Sequence, residues 1–74
     1  MNKIMSAIIH IGHSIKEELR RQGRSVTWLS CQLGTHRKTI YRIFNSYSID
    51  TQTLFRISKL LGRNFFEEYS KQLK

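Results

Sequence analysis

The stretch Leu29-Ser30-x-x-Leu33-Gly34, followed by Ile40-x-x-Ile43, constrains this chain more than any other feature. Leucines four residues apart and isoleucines three apart each mark one face of a 3.6-residue period. Two helices therefore meet with about three residues between them, a connection too short to let them separate. Gly34 is the residue that takes a positive φ without a steric penalty, as so sharp a turn requires. Ser30 is small where the two helices cross closely. Leu29, Leu33, Ile40 and Ile43 then pin the second helix across the first.

The rest of the chain extends this helical reading. Ile4, Ile8, Ile11, Ile15 and Leu19 form one stripe, so a first helix runs to about Gln22 and stops at Gly23, with Asn2 or Ser6 as candidate caps. Met5 and Ile9 fall on an adjacent flank, which points to a contact with a second copy or with Trp28. Residues 1–10 are an N-terminal extension or the start of this helix, and 11–74 form the domain proper. Ser25 caps a short second helix with Val26, Leu29 and Leu33 inward. The third begins at Thr35 or His36 and carries Ile40, Ile43 and Phe44. Asn45-Ser46-Tyr47-Ser48 is a loop. Asp50 caps a fourth helix with Leu54, Ile57, Leu60 and Leu61 on one face, ending at Gly62. Asn64-Phe65-Phe66-Glu67 has the form of a capping box, opening a fifth helix with Phe65, Phe66, Tyr69 and Leu73. The fold class is all-α with five helices, and the absence of proline with only four glycines disfavours a turn-rich β fold.

With 74 residues there is room for one domain. A chain this short buries only about 60% of its unfolded surface, so it needs well-packed helices or a partner chain. A single cysteine excludes an internal disulfide and fits a reducing compartment. No apolar run approaches the roughly 18–20 residues of a membrane span. The N-terminus lacks a signal-peptide pattern, and a cytoplasmic location is expected.

The formal charge is +8, and its placement tells more than its size. Between Leu19 and Phe66 stand Arg20, Arg21, Arg24, Arg37, Lys38, Arg42, Arg56, Lys59 and Arg63, opposed by Asp50 alone. Lys3, Lys16, Lys71 and Lys74 balance Glu17, Glu18, Glu67 and Glu68 outside that segment. A basic centre of this kind suits a polyanion, nucleic acid above all. A tight two-helix turn on a basic chain is the pattern of the helix-turn-helix, whose second helix lies in the DNA major groove.

Residues 25–43, Ser-Val-Thr-Trp-Leu-Ser-Cys-Gln-Leu-Gly-Thr-His-Arg-Lys-Thr-Ile-Tyr-Arg-Ile, resemble the motif of the phage-repressor/Cro (XRE) helix-turn-helix family. Ile11-Gly12-x-x-Ile15-Lys16 is similar to the opening of that family's first helix. Leu54-x-x-Ile57-Ser58-x-x-Leu61-Gly62 is similar to its fourth, and Asn64-Phe65-Phe66-Glu67 stands where its fifth begins. The likeness spans about residues 11 to 70 and implies a five-helix lambda-repressor-like domain. It also implies that Arg37, Lys38 and Thr39 face base edges, and that Tyr41 and Arg42 reach a base or a flanking phosphate. His36 and Asn45 then lie near the DNA backbone. Arginine and lysine suit the guanine O6/N7 edge. Val26 departs from the family, which often carries a glutamine there supporting a phosphate contact. Ser30 replaces a usual alanine, Trp28 a usual polar residue, and Glu18 a usual leucine whose role passes to Leu19. Arg56 and Lys59 are either DNA contacts or ordinary surface charge.

Other chemistry is poorly served. His10-x-x-His13 is a pair without a third ligand. Cys31 has no His-acid arrangement beside it. Glu17-Glu18 and Glu67-Glu68 are adjacent pairs that point about 100° apart on a helix. No enzyme, metal, cofactor, membrane partner or small-molecule effector is expected. The function expected is sequence-specific double-stranded DNA binding as a homodimer, by a small transcriptional regulator, a repressor before an activator. The alternative is a protein-interaction module on the same fold, an antitoxin-like or anti-repressor partner.

Overall fold

The computed structural model describes residues 8–73. Among them are five helices and no strand: α1 (Ile11–Arg21), α2 (Val26–Leu33), α3 (Arg37–Phe44), α4 (Thr51–Leu61) and α5 (Glu67–Ser70). None is long and apolar enough to cross a membrane. The candidate caps Asn2 and Ser6, and the Ile4 and Met5 of the N-terminal segment, lie outside the described residues.

The first helix starts later than the isoleucine stripe predicts. Residues 8–10 are not helical, and Ile8 is 57% exposed. His10 is the cap, its Nδ1 accepting from the His13 N–H at 3.1 Å. The reason lies in the far end of α3. The Ile11 and Gly12 N–H groups donate to the carbonyls of Tyr47 (3.4 Å) and Ser46 (3.0 Å). Continuing the helix backwards would need those same N–H groups for the carbonyls four residues earlier.

Three helices end in the same way. The N–H of the residue after Gly23, Gly34 or Gly62 reaches back to Leu19, Ser30 or Ser58, at 2.9–3.1 Å. This six-residue closure satisfies a terminal carbonyl and needs a left-handed residue just past the helix. Gly34 takes that conformation with φ 68°, so α2 turns into α3 through Gly34, Thr35 and His36 alone. At the start of α2 the Ser25 hydroxyl accepts from the Trp28 N–H at 2.9 Å. Asp50 accepts from Thr53 in the same way at the start of α4, 3.0 Å, which holds its carboxyl below the usual range.

The core is drawn from every predicted apolar face. Ile11, Ile15 and Leu19 of α1 meet Leu29 and Leu33 of α2, Ile40, Ile43 and Phe44 of α3, and Leu54, Ile57 and Leu61 of α4. Phe65, fully buried, closes the cluster. Leu60 and Val26 are only partly buried at its edge. Ser30, 5% exposed, turns its hydroxyl back to the Thr27 carbonyl at 2.9 Å and so brings no unsatisfied donor into the crossing.

The C-terminal helix is shorter than the capping-box reading predicts. Asn64 accepts from the Phe66 N–H at 3.1 Å, one residue short of a capping box, and Glu67 is exposed and makes no return bond. The Phe65 N–H donates instead to the Ser58 hydroxyl at 3.3 Å. Burying the Phe65 ring and holding its amide pulls the chain into a tight turn, so α5 begins only at Glu67. Leu73 is 82% exposed and takes no part in the core.

Candidate nucleic-acid interface

α3 is anchored on one side and free on the other. Ile40, Ile43 and Phe44 face the core, while Arg37, Lys38, Tyr41, Arg42 and Asn45 are exposed. At 100° per residue those five positions occupy an arc of about 140°. They form one polar stripe along the full length of the helix. Arg37 and Lys38 sit in its first turn, where cations run against the helix dipole at a cost on the order of 0.3–1 kcal/mol each. His36 precedes them, exposed, and places no side-chain acceptor on the free N–H groups. A helix selected for stability alone would carry an acid and a capping side chain here. Such a local rule, broken on an exposed stripe, is characteristic of a site kept for binding.

Thr39 lies apart from the stripe. It is half-buried and borders a small cleft with Arg42, Ile49, Asp50 and Thr53, towards the start of α4. Asn45 follows the last turn as its cap, and the Ser46 hydroxyl donates to the Arg42 carbonyl at 2.8 Å. The Tyr41 ring meets Phe44 edge-on at 6.1 Å, which stands it on the core while 54% of the residue remains exposed.

The basic segment divides once it is folded. Glu18, 5% exposed, accepts from Arg21, Gln22 and Arg63, and Arg63 also donates to Glu68. The Arg21 guanidinium first, then Gln22, lowers the Glu18 carboxyl to about 2 against the opposing effect of burial, with Arg63 adding to the depression. Two of the central arginines, Arg21 and Arg63, are thus paired with Glu18 and Glu68, two carboxylates that lie outside the basic segment. Gln22 bridges on to the Leu61 carbonyl at 2.7 Å, so this polar cluster joins α1 to the end of α4. Arg56 donates to the Leu33 carbonyl at 3.2 Å and serves the end of α2. Lys59 stands 5.5 Å from the Phe55 ring centroid.

Three further exposed cations, Lys16, Arg20 and Arg24, border one groove. It has a volume of about 390 Å³ and runs between α1, the start of α2 and the second half of α3. Leu19, Val26 and Phe44 form its floor, Lys16, Arg20 and Arg24 one wall, and Tyr41 with Asn45 the other. Lys16, Arg20 and Arg24 are not among the residues expected to touch DNA, although the motifs and the basic centre include them. The signal that marks two of them is the one-turn spacing of Lys16 and Arg20 on the face of α1 flanking the core stripe.

The His10 and His13 rings stand edge-on at 6.1 Å, with His10 also 4.1 Å from Tyr47. Among the described residues no group of three His, Cys, Asp or Glu side chains is placed to hold a metal. Cys31 is an exposed free thiol. Glu17 is exposed while Glu18 is buried, so the pair shares no site. No protein-family model, curated protein or solved structure matches this chain.

Proposed function

We propose that this chain is a phage-repressor/Cro-like helix-turn-helix domain that binds double-stranded DNA in a sequence-specific way. α3 enters the major groove, with Arg37 and Lys38 reading base edges and Tyr41, Arg42, His36 and Asn45 serving bases or the adjoining backbone. Thr39 contributes from the flank of the helix. The observation carrying this reading is the exposed stripe of Arg37, Lys38, Tyr41 and Arg42 on a helix whose opposite face is locked into the core. The chain acts in the cytoplasm as a homodimer on two half-sites about one helical turn apart, as a transcriptional regulator and a repressor before an activator.

Selection from a random pool of double-stranded DNA tests it. Enrichment of one two-part sequence, lost in Arg37→Ala, supports the reading; a pool that stays random at every salt concentration rejects it.

A protein-interaction module is the second reading. Phe55, 48% exposed, borders an open apolar groove with Phe66, Lys59 and Gly62. Val26 also removes the phosphate-supporting glutamine usual in the family that the chain resembles. A chain that enriches no DNA sequence but forms a stoichiometric complex with a protein partner through Phe55 follows this reading instead.

A further inference from the structure

We propose that the groove between α1 and the second half of α3 seats one sugar-phosphate strand of the DNA, bordering the bases that α3 reads. Lys16, Arg20 and Arg24 each take a phosphate, and the apolar floor at Leu19 and Val26 faces deoxyribose. The inference rests on the DNA-binding reading above and adds a second, sequence-independent contact surface to it.

Four observations carry it. Lys16 and Arg20 are one turn apart on α1, about 6 Å along its axis, so they serve neighbouring phosphates rather than a single one. Arg24 is held in place, with its guanidinium carbon 4.1 Å from the Trp28 ring centroid. Stacking of that kind orients the planar head and reduces the freedom lost on binding. No carboxylate lines the groove. The neighbouring Glu18 is already committed to Arg21, Gln22 and Arg63, so it does not compete for the three cations. Tyr41 and Asn45 belong to both the groove and the exposed stripe of α3. A strand lying in the groove therefore runs directly beside the base-reading side chains.

The groove offers both cations and apolar surface, as a strand of phosphate and sugar requires. Contacts of this kind fix orientation and affinity and carry no sequence information.

The test is the salt dependence of binding to the duplex selected by the wild-type protein. Each phosphate neutralised contributes about 0.9 to the slope of log Kobs against log salt. The triple variant Lys16→Gln, Arg20→Gln, Arg24→Gln should lower that slope by about 2.7, with the order of base preferences unchanged. Arg20→Gln alone should lower it by about 0.9 and provides the measurement if the triple variant folds poorly. Lys71→Gln, outside the groove, should leave it unaltered. A folded groove variant that keeps the wild-type slope overturns the inference. That outcome differs from failure of the DNA-binding reading, in which the wild-type protein itself selects no sequence.

Discussion

A Cβ added to Gly12 would land on the carbonyl oxygen of Ile43 and lie 2.5 Å from that of Phe44. The first turn of α1 therefore touches the last turn of α3 backbone to backbone, and the Gly12 N–H completes the contact at Ser46. This contact holds α3 at its C-terminal end, while Gly34 and the short turn hold it at the other.

Gly12→Ala should accordingly destabilise the fold by about 1–3 kcal/mol, because backbone oxygens yield less readily than side chains. In a domain of this size each kcal/mol lowers Tm by roughly 4–8 °C. A thermal melt within about 0.5 kcal/mol of wild type would mean that α1 and α3 do not meet at this residue.

Arg37→Ala should weaken binding to the selected duplex by about 1–3 kcal/mol and relax preference at one base position per half-site. Arg56→Ala removes the same charge from α4, where the guanidinium serves the Leu33 carbonyl. It should lower stability and leave base preference alone. Preference profiles from a randomised pool separate the two, and an unaltered profile in Arg37→Ala would remove that residue from the base-reading set.

Leu33→Ala should cost about 2–5 kcal/mol of folding stability. Leu33 is 8% exposed at the junction of α2 with α3, and marginal domains have little stability to spare. Urea denaturation showing a loss below about 0.5 kcal/mol would contradict its place in the core.

Glu18 links stability to acid. Its carboxyl lies at about 2 in the fold, against an ordinary value of 4.5. A depressed carboxyl stabilises the fold fully above the unfolded value. That contribution is lost as pH falls through the window from about 4.5 to about 2. Stability measured by urea should fall across that window in the wild type and fall less steeply in Glu18→Gln. At neutral pH Glu18→Gln should itself cost about 1–3 kcal/mol, since a neutral amide with one acceptor oxygen replaces the carboxylate that Arg21, Gln22 and Arg63 share. Parallel acid profiles for the two proteins would show that Glu18 is not the responsible group.

The features legible from the residues alone are local. Periodicity placed the inward faces of four helices, and Gly23, Gly34 and Gly62 marked three helix ends, because these signals depend on neighbours within a few residues. Ser25 and Asp50 were legible as caps for the same reason. The family resemblance implies an exposed face on α3; Arg37, Lys38, Tyr41, Arg42 and Asn45 are exposed there, whereas Thr39, expected beside them, is half-buried. The start of α1 is set by folding, since Ser46 and Tyr47 claim the N–H groups of Gly12 and Ile11. Folding also sets the length of α5, through the Ser58 hydroxyl on the Phe65 amide. The distribution of free charge was also out of reach of the linear pattern. Glu18 meets Arg63 across 45 positions, and Arg56 meets Leu33 across 23. A count along the chain sees nine cations in its centre. Which of them find a distant partner, as Arg56 and Arg63 do, is decided only when remote segments close together, because an ion pair or hydrogen bond acts over a few ångströms of space and not over sequence.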